Sequence, residues 1–153
     1  MTAFSIDPHR LEELLTYCVS FAKQMLEASG EFYPFGAVIR ADGVFSGVGF
    51  DAGEEHPKAQ DVFLGLHSGF KGQFEKGEIL AAAIAVNANI PSEYQPEFLD
   101  GIRVAVECRG YSRFFYVPYR ISKPSGLGAL VGRKSKIEYR DFIPVDVPAS
   151  MTI

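Results

Sequence analysis

The spacing of hydrophobic residues changes several times along the chain, and each spacing predicts a different element. Between residues 8 and 29 they recur at intervals of three and four, which is the pattern of a helix with one buried face. Asp7 is a good N-cap, Pro8 suits the first helical position, and Gly30 is a typical C-cap. The same spacing between residues 57 and 76 predicts a second helix. Its buried stripe would consist of Val62, Leu66, Phe70 and Phe74.

The other hydrophobic runs are shorter and predict strands. Residues 35–40 and 44–50 flank Asp42 and Gly43, and Asp-Gly between two apolar runs is a hairpin signal. Three further strands are predicted over residues 78–87, 102–109 and 113–121.

This order of elements predicts a single α+β domain. A helix, two strands, a second helix and a three-stranded meander would form an antiparallel sheet with the helices packed on it. The core of the domain is expected to span residues 1–121. Residues 122–153 would be an irregular C-terminal extension of the same domain, rich in Gly and Pro, with one short strand over 136–142.

Two features of the predicted elements favour close contact between backbones. The second helix contains Gly65, Gly69 and Gly72, and each costs about 1 kcal/mol relative to alanine in a helix interior. Close packing on the sheet or on a second subunit would offset that cost. The strand at 78–87 is rich in alanine and nearly all apolar, so either both of its faces are covered or one faces another chain. These features predict a homodimer.

The net charge of −4 is the sum of two unequal parts. Residues 120–140 contain six basic side chains and one acid, which leaves nine basic and 18 acidic residues elsewhere in the 153-residue chain. The basic stretch either binds an anionic partner or lies on its own acidic body. Nucleic-acid binding usually needs a broader basic face with interleaved aromatic residues, so no nucleic-acid partner is expected.

Other classes of site and location are disfavoured by composition. The longest uninterrupted apolar run, 79–86, has eight residues, whereas a membrane span needs about 20, so no membrane partner is expected. No secretory signal is evident, and a cytoplasmic location is predicted. Cys18 and Cys108 form no CxxC pair, and we expect two reduced core thiols and no metal or cofactor.

Two aromatic segments stand out as candidate recognition surfaces. The first covers residues 30–36 around Pro34, and the second covers residues 114–120 and ends in arginine. Tyrosine and arginine are enriched at recognition surfaces, although aromatic residues can also simply close the ends of a sheet. If the two segments are neighbours, the charges near them form either a buried ion-pair cluster or a small polar pocket. The candidate site residues are Tyr33, Glu107, Arg109, Tyr119 and Arg120.

Several short segments together resemble a bacterial family of small hypothetical proteins. They are residues 30–36, 42–43, 56–57, 79–86, 100–106 and 117–120. The resemblance covers most of residues 7–121 and implies no catalytic residues, because that family has no assigned activity. The element order also resembles the roadblock/longin and profilin-like group, which implies a protein-interaction or ligand-sensing scaffold, commonly dimeric. Roadblock domains usually end with another helix, and the Gly- and Pro-rich sequence of this tail does not predict one.

The sequence carries no catalytic signature, so an enzyme is not the first hypothesis. We expect a non-enzymatic module for protein interaction or regulation, which would neutralise a partner or act as an adaptor. The alternative is a small-molecule sensor or enzyme with a pocket between the two aromatic segments, where the five candidate residues would meet.

Overall fold

The computed structural model describes residues 6–50, 53, 55–124, 126–132 and 136–153. Two long helices and seven strands account for most of this part of the chain. The helices are α1 (Pro8–Ser29) and α2 (Ala59–Glu75), with a short α3 (Leu127–Leu130). The strands are β1 (Phe35–Arg40), β2 (Phe45–Val48), β3 (Ile79–Asn89), β4 (Asp100–Cys108), β5 (Tyr111–Ser122), β6 (Lys136–Tyr139) and β7 (Ile143–Asp146).

Local sequence signals set the limits of α1 as predicted. The Asp7 side chain accepts a hydrogen bond from the backbone N–H of His9 at 2.9 Å, and Pro8 opens the helix. Gly30 ends it with φ of 77°, a left-handed conformation that glycine adopts without a Cβ penalty. The cap therefore turns the chain directly towards β1.

All strand pairs are antiparallel, and the predicted α+β fold is confirmed. The first five strands lie in the order β2-β1-β3-β4-β5. The outer edge of β5 pairs first with β6 and then with β7. Tyr119 faces Tyr139, and Tyr116 faces Ile143. Between these two pairs, two residues of β5 (117–118) oppose three residues of the tail (140–142). This β-bulge leaves Arg140 donating its N–H to the carbonyl of Pro118 at 2.9 Å.

The helices cover opposite faces of the sheet. On β3, Ala81, Ala83 and Ala85 pack with α1, whereas Ala82 and Ile84 pack with α2. The alanine-rich strand is therefore the centre of a three-layer arrangement, and its small side chains let both helices approach the sheet. Of the two alternatives for this strand, coverage of both faces is correct, and β3 is not available to another chain.

The glycines of α2 do not all serve close packing. A Cβ atom built on Gly65 would clash with the Phe50 ring, whereas one built on Gly69 or Gly72 would meet nothing within 4 Å. The prediction of tight packing is correct for Gly65 alone. On the sheet itself, α2 packs tightly at Gly36 of β1, where a built Cβ would lie 2.8 Å from the ring of Phe70.

The C-terminal extension is more ordered than predicted. The single strand expected over 136–142 is two strands, β6 and β7, because the bulge interrupts the pairing. Beyond β7 the chain crosses to the α2 side of the sheet, where Met151 is buried in the same cluster as Phe70 and Phe74. The extension thus completes the sheet and closes part of the core.

Part of the basic stretch is paired with acidic side chains of the domain itself. Arg120 lies 2.8 Å from Glu138, and Arg140 lies 2.6 Å from Glu97. Hydrogen bonding to these arginines lowers the pKa of both carboxyl groups. Arg133 and Lys134 lie outside the described residues.

Both cysteines are free and buried on the α1 side of the sheet. Burial raises the pKa of the Cys18 thiol to about 12. Burial, with a smaller contribution from the Glu107 charge, raises the pKa of Cys108 to about 11. Across the part of the chain that the structure describes, no helix has the length and apolar character needed to cross a membrane.

Candidate functional site

Glu107 and Arg109 lie near one end of β4 but are engaged separately. Glu107 is buried, and its carboxylate accepts the backbone N–H groups of Ser150, Met151 and Thr152 at 2.7–3.0 Å. Arg109 points Nη2 at the carbonyl of Phe74, 3.4 Å away, where α2 ends. Between these two candidates, both within the described residues, there is no ion pair.

The other three candidates lie towards the opposite end of the sheet. Tyr119 of β5 pairs with Asp100 of β4. Asp100 lies seven residues before Glu107 on the same strand. The Tyr119 hydroxyl donates to Oδ1 of Asn87 at 2.6 Å on the α1 side. Arg120 points to the other face and pairs with Glu138. Tyr33 is 45% exposed. The five candidates therefore do not meet in one pocket.

A pocket does lie between the two aromatic segments, but different residues line it. Its volume is about 500 Å³. The first segment contributes Phe32 and Pro34, and the second contributes Phe114. The lining is completed by Ala59, Gln60 and Phe63 from α2, by Val86, Asn87 and Ala88 from β3, and by Arg103 from β4. We call this cavity the Arg103 pocket.

The sheet register explains why Arg103 enters this pocket. Side chains alternate along β4, so Arg103 shares the α2 side of the sheet with Glu107. The tight turn after Cys108 pairs Cys108 with Tyr111, which sets Arg103 opposite Tyr116 and beside Phe114. Phe63 reaches the same place from α2. Arg103 therefore lies between residues of α2 and residues of the aromatic strand β5.

The guanidinium of Arg103 is held by aromatic rings. Its Cζ lies 4.6 Å from the ring centroid of Phe114 and 5.8 Å from that of Phe63. Burial lowers the pKa of Arg103, while the nearby Tyr116 hydroxyl raises it. Among the described residues, no carboxylate lies within 4.0 Å of this side chain.

Nε of Arg103 is the chemically unusual atom of the pocket. It is buried and has no hydrogen-bond partner within the described parts of the chain. Buried polar groups are normally hydrogen-bonded, and an arginine fork normally meets a carboxylate or phosphate. The Arg103 pocket is therefore lined by a guanidinium whose buried Nε is unsatisfied, in a wall that is mostly apolar.

Arg103 is not among the five predicted site residues, because it lies farther along the sequence from the aromatic segments than the charged residues predicted there. The signal that identifies it is the cross-strand register. Counting back from a two-residue turn at Arg109 and Gly110 brings Arg103, rather than Arg109, beside Phe114. The predicted strands, 102–109 and 113–121, leave a three-residue turn between them and do not give this pairing.

Comparison with known proteins adds no functional assignment to this geometry. No protein-family model, no curated protein and no solved structure matches the chain. A group of three or more His, Cys, Asp or Glu side chains able to hold a metal ion is also lacking in the described part of the chain.

Proposed function

We propose that the protein is a binding module for a small anionic molecule, with Arg103 as the anchoring cation. One observation carries the proposal: Nε of Arg103 is buried without a partner among the described residues, while its guanidinium lies close to the rings of Phe114 and Phe63. An arginine kept only for stability would be expected to have a carboxylate or carbonyl partner. This is the small-molecule hypothesis of the sequence analysis, with Arg103 in place of its five candidates. Cytoplasmic location stays a prediction.

Replacing Arg103 with Met is expected to stabilise the ligand-free protein by about 1 kcal/mol, or about 2–4 °C in Tm for a domain of this size. Methionine fills similar space and removes the unsatisfied Nε donor. The gain is limited because the cation–π contact with Phe114, worth about 0.5–1 kcal/mol, is lost as well. Urea unfolding and thermal melting of the two proteins measure the difference.

The matched control is Arg113→Met on β5. Arg113 is paired with Asp146 at 2.8 Å, so its removal should bring no gain in stability. The binding function itself is tested by titrating acetate while the Nε–H resonance of Arg103 is followed by NMR. An acetate-dependent shift supports the proposal. No shift, together with a destabilised Arg103→Met protein, would show that Arg103 has a structural role.

A second candidate function, protein interaction through a homodimer, is favoured by the loop between β5 and β6. Leu127, Leu130 and Val131 of this loop are 77%, 84% and 67% exposed. Contiguous exposed aliphatic side chains are unusual on a monomer and typical of interaction surfaces. Lys123 and Lys136 flank the loop and are exposed. Because the rest of the chain is acidic, we propose a second copy of the chain as the partner.

Leu130→Asp is expected to convert a dimer of the wild-type chain into a 16.8 kDa monomer. Light scattering over a dilution series measures the mass. Leu99→Asp is the control, since Leu99 is also exposed but lies on a different loop. A wild-type chain that is monomeric throughout, or a dimer that persists in Leu130→Asp, excludes the loop as a dimer contact.

A further inference from the structure

The Arg103 pocket has features that narrow the class of anion. Resting on the proposed function, we infer that it takes a carboxylate attached to an apolar, ring-sized body. The two parts of this ligand correspond to two parts of the pocket. The guanidinium would meet the carboxylate, and the aromatic and aliphatic walls would meet the body.

The charged end of the pocket suits a carboxylate better than a phosphate. The guanidinium of an arginine is a planar fork of N–H donors, and a carboxylate offers two oxygens that match a pair of them. Both oxygens are then satisfied by one side chain. A phosphate brings additional oxygens and a second charge, and the described lining residues include no second cation to meet them.

The walls of the pocket suit a flat apolar body. The rings of Phe63 and Phe114 both lie close to the guanidinium, and Phe32 and Pro34 belong to the same lining. Aromatic side chains favour stacked or edge-on contacts with another ring. The volume of about 500 Å³ lies in the range that encloses a small organic molecule. Gln60 is the polar side chain that α2 adds to the lining, and it can orient a polar substituent.

Four probes test the inference: naphthoate, its neutral analogue naphthamide, inorganic phosphate and acetate. We expect calorimetry to show that naphthoate binds at least tenfold more tightly than each of the others. Naphthamide lacks the charge, phosphate lacks the apolar body, and acetate lacks the ring. Arg103→Lys keeps the charge but loses the planar fork, and it should weaken naphthoate binding at least tenfold. Its Tm shows whether the variant is folded.

The possible failures separate the ligand class from the proposed function. If phosphate or acetate shifts the Arg103 Nε–H resonance and naphthoate binds no more tightly, the ligand class is wrong and the anion site stands. If naphthoate and naphthamide bind equally, Arg103 is not the anchor of the ligand. If no probe at about 10 mM binds or shifts that resonance, both proposals are wrong.

Discussion

Replacing Glu107 with Ala is expected to lower the free energy of unfolding by about 3 kcal/mol. Glu107 is 2% exposed, and its carboxylate accepts the N–H groups of residues 150–152. No cation pairs with it among the described residues, so these backbone amides are what stabilise the buried charge. The variant leaves the three donors without that acceptor and loosens Met151 from the core.

The expected loss of stability is smaller than the summed energy of three charge-assisted hydrogen bonds, because the tail can detach and its amides can then bind water. Detachment of the tail can be detected separately from global unfolding. Hydrogen exchange at Ser150, Met151 and Thr152 should accelerate more than exchange in β3. Urea unfolding gives the global loss, and exchange shows whether it begins at the tail.

Glu138→Ala is the matched control for this prediction. Glu138 is also a carboxylate with several partners, but these are Arg120 and Arg140, and it is partly exposed at the edge of the sheet. Surface pairs contribute about 0–1 kcal/mol, so this variant should lose little stability. If Glu107→Ala loses no more than Glu138→Ala, the carboxylate does not hold the tail.

The elements that the sequence predicted correctly are those specified by local signals. The limits of α1 depend on a capping residue at each end, Asp7 and Gly30, and the hairpin depends on the dipeptide Asp42-Gly43. The three-stranded meander follows from three largely apolar runs, each bounded by loop or turn residues. Each of these patterns has a physical cause within a few residues, and therefore a readable sequence signature.

The tail and the Arg103 pocket depend on contacts between distant residues, which local patterns do not contain. β7 forms although Pro144 lies in it, because that residue sits on an edge strand beside a bulge. The three amides that meet Glu107 lie more than 40 residues away along the chain. Both the pocket and this contact required the strand register before particular side chains could be brought together.

The close approach of α2 to the sheet leads to a second prediction of large effect. Gly36→Ala is expected to destabilise the protein by about 3 kcal/mol. A Cβ on Gly36 would lie 2.6 Å from the carbonyl oxygen of Ala83 and 2.8 Å from the ring of Phe70. The carbonyl belongs to the backbone of β3, and Phe70 is buried in the α2 cluster, so neither can move freely. Urea unfolding measures the loss.

The same substitution elsewhere in the chain should have the opposite sign, which makes it the sharpest control. Gly69 lies on α2 with nothing within 4 Å of a built Cβ. Gly69→Ala should therefore stabilise the protein by about 0.5–1 kcal/mol through helix propensity alone. Gly65→Ala should fall between the two, because the clashing Phe50 ring is partly exposed and can turn away. If all three variants behave alike, backbone propensity rather than the α2–sheet distance decides where glycine is needed.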